Sequence, residues 1–302
     1  MPETKTSRSA AAAKLGTGTR KKRRRKRRNR IPLVLLGLFG LLILLLILFR
    51  MAFLRGEAAR NAAQAPEPSP SPSYILPPSE LSADCFGWDG SYKSYDSPTM
   101  TARLGVDVSL FQGGIDWDQV AQSGVDFAII RAGYRGYGDG STVPDDLFTQ
   151  NVEAATANGI GVGVYFFSQA LNEEEARAEA HEVLAMLDGY EIQYPIYFDW
   201  EPIAEEQEAR TASISATELT ACAKAFCDTI EAAGYRAGIY FNLSMASHYY
   251  HIEQLGAYSF WLAEYQDVPS FPFAVELWQY SNEGQVPGIY TTVDMNLCFV
   301  KK

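Results

Sequence analysis

From residue 103 onward the chain is cut into eight short apolar runs, at 104–108, 125–131, 160–168, 194–201, 235–241, 259–265, 275–280 and 290–297. Most are apolar at successive positions, which is what a parallel strand needs when helices cover both of its neighbours' faces. Helical periodicity fills 117–123, 146–158, 172–187 and 216–233, and a glycine follows each stretch: Gly124, Gly159, Gly189 and Gly234. Glycine in that place is the usual left-handed helix stop. Asn172 with Glu175 three residues on makes an amino-terminal cap for the third helix. Repeated strand-helix-strand units predict an α/β fold, a TIM-like (β/α) barrel. The last runs follow one another too closely for full crossover helices, so the helical layer should be incomplete in the last third.

Barrels of this kind carry their chemistry at the carboxyl ends of the strands. There the sequence offers Asp107, Asp199, Glu201 and Asp294. In Phe198-Asp199-Trp200-Glu201 the two acids stand two positions apart, so a continuing strand turns both to one face, separated by about 6–7 Å. Like charges at that spacing raise the proton affinity of the less solvated group. One acid and one ion result, the pairing that glycoside hydrolysis requires. A merely solvated pair at a strand end is the alternative for these two residues alone. Strands one and eight adjoin in a closed barrel, which should bring Asp107 near Asp294. Tyr165, Trp200, Tyr265, Trp278 and Tyr280 lie at or near strand ends, where flat rings can stack on sugar faces, although Trp261 and Trp278 also suit the core. Arg131 is either an orienting partner for the acids or half of a structural salt bridge.

Seven ordered segments then resemble one family, the glycoside hydrolase family 25 muramidases, or Chalaropsis-type lysozymes. They are the opening G-V-D-V-S-x-x-Q-G, Ile130-Arg131-Ala132-Gly133-Tyr134, Gly163-Val164-Tyr165-Phe166-Phe167, Phe198-Asp199-Trp200-Glu201, Trp261-Leu262-Ala263-Glu264-Tyr265, Trp278-Gln279-Tyr280 and Val293-Asp294-Met295-Asn296. The resemblance implies cleavage of the β-1,4 bond between N-acetylmuramic acid and N-acetylglucosamine in peptidoglycan. It implies Glu201 as general acid, with Asp199 stabilising positive charge on the sugar or orienting its 2-acetamido group. Asp107 and Asp294 would complete the acidic cluster. No cofactor and no metal is expected, and the glycan strands of peptidoglycan are the expected partner of a monomer. The rival from another class is a catalytically silent, membrane-tethered module that only binds wall glycan.

The amino-terminal part reads differently. Every residue from Arg20 to Arg30 except Asn29 is Lys or Arg, and 31–49 is 19 residues without a charge. At about 1.5 Å per residue that stretch spans roughly 28 Å, close to a bilayer's hydrocarbon core. Basic residues ahead of an apolar span stay inside. The expected order is a basic cytoplasmic tail (1–30), a transmembrane signal-anchor helix (31–50), an extracytoplasmic linker rich in Ala, Pro and Ser (51–80), an extension of the domain (81–102) and the hydrolase barrel (103–302). A cleavable leader is the competing reading, since Ala63-Gln64-Ala65 resembles a cleavage site, but Arg50, Arg55 and Arg60 intervene.

Residues 1–55 hold 15 of the 26 basic residues and one of the 36 acids, leaving 11 against 35, a balance of −24, from 56 onward. A domain so acidic does not collect polyanions unaided, which disfavours nucleic acid and anionic wall polymers. Beside a membrane span the basic run is a topology signal and a clamp on anionic lipid. Cys85, Cys222, Cys227 and Cys298 would lie outside the membrane, where disulfides are permitted; three pairings, or free thiols, stay open. With only His181, His248 and His251, no zinc spacing or thiol-histidine nucleophile is present.

Overall fold

A computed structural model describes Arg50 and residues 74–203 and 208–302. The expected span 31–50 lies outside these residues but for Arg50. Among the described residues no helix is long and apolar enough to cross a membrane.

The elements follow in chain order: β1 (Phe86–Asp89), β2 (Tyr92–Tyr95), β3 (Met100–Val108), α1 (Trp117–Gln122), β4 (Phe127–Arg135), β5 (Thr142–Pro144), α2 (Phe148–Ala157), β6 (Gly161–Phe167), α3 (Glu173–Met186), β7 (Ile196–Asp199), α4 (Ala216–Ala232), β8 (Ala237–Asn242), α5 (Leu243–His248), β9 (Ser259–Ala263), β10 (Leu277–Gly284) and β11 (Val293–Lys301). Strands β3, β4, β6, β7, β8, β9, β10 and β11 form an eight-stranded barrel that β11 closes against β3. The short β5 pairs on the outer edge of β4.

All eight expected strands and all four expected helices are present, and the four glycine stops adopt positive φ, from 75° at Gly159 to 92° at Gly124. Side-chain caps open the helices: Asp116 accepts from Gln119 N, Asn172 from Glu175 N, and Ser215 forms a capping box with Glu218.

The last strand departs from an all-parallel barrel. β11 runs antiparallel to both β10 and β3, whereas every other neighbour in the ring is parallel. Only residues 285–292 join β10 to β11, too few for the crossover a parallel return needs, so the chain can only turn back. The fourth strand is also shorter than expected. It ends at Asp199 instead of Glu201, because Ser168 N donates the last rung to Asp199 O (2.6 Å) and Pro202 cannot donate another.

Large rings fill the barrel, and glycines opposite them make the room. A Cβ on Gly105 would lie 2.2 Å from Phe127 Cζ, and one on Gly238 would lie 2.3 Å from Tyr197 Cε1. Where helices are missing, outside β9–β11, the segment from Tyr74 to Tyr95 covers the barrel instead. Tyr74 N donates to Glu253 O (2.7 Å), Leu76 is buried, and Phe86 packs edge-on against Trp278 (5.4 Å) and Phe299 (6.1 Å). Packing on the barrel thus begins within the stretch 51–80 read as linker.

Candidate active site

Alternation along the strands turns Asp107, Arg131, Tyr165, Asp199, Tyr240, Gln279 and Asn296 toward the barrel interior near one rim. Asp294 joins them from the beginning of β11, not from a strand end. Because β11 is antiparallel, its first residues meet the last residues of β3, and Asp294 stands directly opposite Asp107.

Asp107 is buried in a set of side-chain hydrogen bonds. Its Oδ2 accepts from Gln279 Nε2 (2.9 Å) and Asn296 Nδ2 (2.7 Å). Both amides are oriented from behind. The phenols of Tyr240 (3.1 Å) and Tyr265 (3.0 Å) donate to Gln279 Oε1, and the indole N–H of Trp261 donates to Asn296 Oδ1 (2.8 Å). An indole N–H can only donate, so the amide of Asn296 must present its NH2 to Asp107. The G-V-D-V-S-x-x-Q-G run has a matching local cause. Ser109 and Gln112 form a capping box immediately after β3 and fix the turn that follows Asp107.

Burial drives the proton affinities of all four acids upward. Asp107 is raised well above the usual carboxylate range by burial first, then by the charge of Asp294. Asp294, opposite it, is raised as well, chiefly by burial. Asp199 is raised well above its ordinary value by burial, then by Glu201 and Asp107, against the lowering influence of Arg131. Glu201, half-buried just beyond β7, is raised by burial and then by Asp294. No described group donates to the buried Oδ1 of Asp199. Four carboxyls that feel one another's charge form one cluster, and Tyr165 sits among them: after burial, the charge of Asp107 raises its phenol most.

Other expected site residues fall elsewhere. Trp200 is buried under Tyr249 (5.2 Å) with its indole N–H on Thr211 Oγ1 (3.3 Å), because turning Asp199 inward turns Trp200 outward. Trp278 is likewise on the outer face, donating to Glu264 O (2.8 Å) beneath the hairpin, and Tyr280 packs on it at 5.7 Å and accepts from Lys93 N. Both therefore face away from the acids. Arg131 pairs with Asp145 (2.8 Å), which also accepts from Leu110 N (3.0 Å), so the pair ties the turn after β3 to β4. Tyr165, partly buried edge-on to Trp261, and Tyr265, half-exposed, remain at the rim.

Gln279, Asn296, Tyr240 and Asp145 were absent from the expected set. Gln279 and Asn296 stand inside the Trp278-Gln279-Tyr280 and Val293-Asp294-Met295-Asn296 segments. Strand alternation alone puts Gln279 on the opposite face from Trp278, and Asn296 on the same face as Asp294.

The Glu201 end is tied down separately. Gln169 Nε2 donates to Glu201 O (3.1 Å) and Thr211 bonds Gln169 Oε1. Arg210 bonds Gln169 O (3.3 Å) and Glu175 Oε1 (2.8 Å), while the adjoining Glu179 holds Arg135 and Ser168. Burial pushes Glu179 up to about 7 against both of those donors. Among the described residues no group of three or more His, Cys, Asp or Glu is disposed to hold a metal ion, and all four cysteines are free.

An eight-stranded α/β barrel with a buried carboxyl cluster at its rim is one arrangement that acid-base hydrolysis of glycosides can use. The model of the glycosyl hydrolases family 25 matches residues 106–289, and the chain belongs to that family. It is similar to Lysozyme M1 of Streptomyces globisporus, 29% identical over 207 residues, covering 64% of this chain and 66% of that protein. The bacterial lysozyme of Streptomyces coelicolor shares 27% identity at a TM-score of 0.51, over 64% of this chain and 90% of that one. The modular autolysin LytC of Streptococcus pneumoniae, solved with a synthetic peptidoglycan ligand, has the same fold at 24% identity and a TM-score of 0.59. That match covers 66% of this chain but only 47% of LytC, so this chain spans about half the length of that relative.

Proposed function

We propose that the domain is a lysozyme-type peptidoglycan hydrolase, a 1,4-β-N-acetylmuramidase that cuts between N-acetylmuramic acid and N-acetylglucosamine. The observation that carries the reading is the gathering of Asp107, Asp199, Glu201 and Asp294 at one rim, with every proton affinity raised. Glu201, the group at the open end, keeps its proton and delivers it to the leaving glycosidic oxygen. Asp199, with a buried and unpartnered oxygen, faces the positive charge that grows on the sugar or accepts from its 2-acetamido N–H. The charge of Asp294 raises the proton affinity of Glu201 further, and Asp107, held by Gln279 and Asn296, completes the acidic cluster. Tyr165 and Tyr265 border the bound sugar. Glu201→Gln should fold normally and lose wall hydrolysis, since an amide cannot deliver the proton. Turbidity of purified sacculi reads the loss, and undiminished clearing by the variant would overturn the assignment. Mass analysis of released muropeptides then separates a muramidase from a glucosaminidase by the reducing-end sugar, and sacculi that are bound but never cut would indicate the silent module.

We further propose that residues 31–50 anchor the protein in the cytoplasmic membrane, with 1–30 inside and the monomeric domain outside. The basic run ahead of an uncharged stretch supports this. Protease added to intact cells should then degrade the domain and spare the tail, and a domain recovered uncut in the soluble cytosol would refute it.

A further inference from the structure

Beside the rim a groove of about 1460 Å³ runs along the flank that lacks helices, between the β1–β2 hairpin and the connection from β10 to β11. It exceeds the roughly 300–1,000 Å³ of a site for a drug-sized ligand. We propose that this groove is a second glycan-binding tract, which holds a neutral amino-sugar strand beyond the cleavage site with Trp88 and Tyr290 as stacking platforms. The proposal rests on the peptidoglycan reading above and deepens it.

Three observations argue for a glycan. First, the groove presents exposed rings: Trp88 is 62%, Tyr290 76% and Tyr265 49% exposed. Rings so placed offer flat apolar faces to the C–H groups of a sugar. Trp88 is also held in place, since the Lys93 ammonium lies 5.0 Å from its ring and is fixed by Asp267 O (2.8 Å) and Asp267 Oδ1 (3.2 Å). Second, the polar lining suits a neutral partner. Gln266, Asn282 and Gln285 supply amides, while Asp89 and Glu283 repel polyanions and the cation of Lys93 is already paired. Third, the groove borders the acid cluster through one side chain: Tyr265 lines it and donates to Gln279, which donates to Asp107.

The test uses the full chain carrying Glu201→Gln, with uncharged N-acetylglucosamine oligomers, two sugars against six, bound in a calorimeter. Long oligomers should bind on the order of tenfold tighter, about 1.4 kcal/mol, and Trp88→Ala or Tyr290→Ala should erase most of that length dependence. Trp88→Phe should restore part of it. Both residues are exposed, so an unchanged thermal midpoint certifies the fold of each variant. A length dependence that survives both substitutions overturns the groove while leaving the hydrolase reading intact, provided the unsubstituted protein still clears sacculi. An effect of Trp88 seen only with peptide-bearing fragments overturns it in favour of the stem peptide. No binding at any length, together with no clearing, overturns both.

Discussion

Asp199 occupies a costly position in the barrel, buried beside Glu201, Asp107 and Asp294 with one oxygen lacking any described partner. Such strain is tolerated where function requires it. Asp199→Asn removes the charge but keeps the shape, so the thermal midpoint should rise while wall hydrolysis is lost. In a domain of this size about 2–4 °C accompanies each kcal/mol, which calorimetry resolves, and a lowered midpoint would contradict the electrostatic account. Gln279 makes the opposite prediction. Gln279→Leu leaves Asp107 without one donor and two phenols without an acceptor. Buried groups left unpaired cost about 1–3 kcal/mol each, so the variant should lose both stability and activity, measured by denaturant midpoint and sacculus clearing.

At the scale of elements, the β1–β2 hairpin does the work of the missing helices. β10 and β11 turn Trp278 and Phe299 outward, and Phe86 covers both. Phe86→Ala should destabilise the domain by about 2–3 kcal/mol, somewhat below the 3–5 kcal/mol of a fully buried phenylalanine because Phe86 is only partly buried. Proteolysis of the variant should then begin in the hairpin, and an unchanged midpoint would show that the hairpin is decoration. The antiparallel β11 matters as much, since it is what carries Asp294 opposite Asp107 at the acid-bearing rim from the start of a strand.

The whole domain inherits a pH dependence from its buried acids. Asp107, Asp199, Glu201 and Asp294 are raised, and Glu179 is raised to about 7. Above their unfolded values of about 4 the folded chain therefore holds protons that the unfolded chain has released, and stability falls as pH rises through that interval. The lowered acids, such as Asp116 and Glu175, act in the opposite sense but only below about pH 4.5. The thermal midpoint should thus decrease from pH 5 to pH 8, and Asp199→Asn should flatten the slope. Hydrolysis should decline in the same direction as Glu201 gives up its proton. A midpoint that climbs over this range would reverse the sign of the argument.

Local pattern was enough for the strands, the helices and their glycine stops, and for the four acids, because period, capping and strand ends are properties of neighbouring residues. Asp107 and Asp294 were legible as a pair from barrel closure alone. Alternation was also sufficient to separate Gln279 from Trp278, although the aromatic residues drew the assignment to the wrong face. The end of β7 at Asp199, the reversed β11, the covering role of 74–95 and the partner of Arg131 were decided by the tertiary structure. Each depends on which distant group supplies a hydrogen bond or covers an apolar face, and groups far apart in a chain acquire that relation only when the barrel closes.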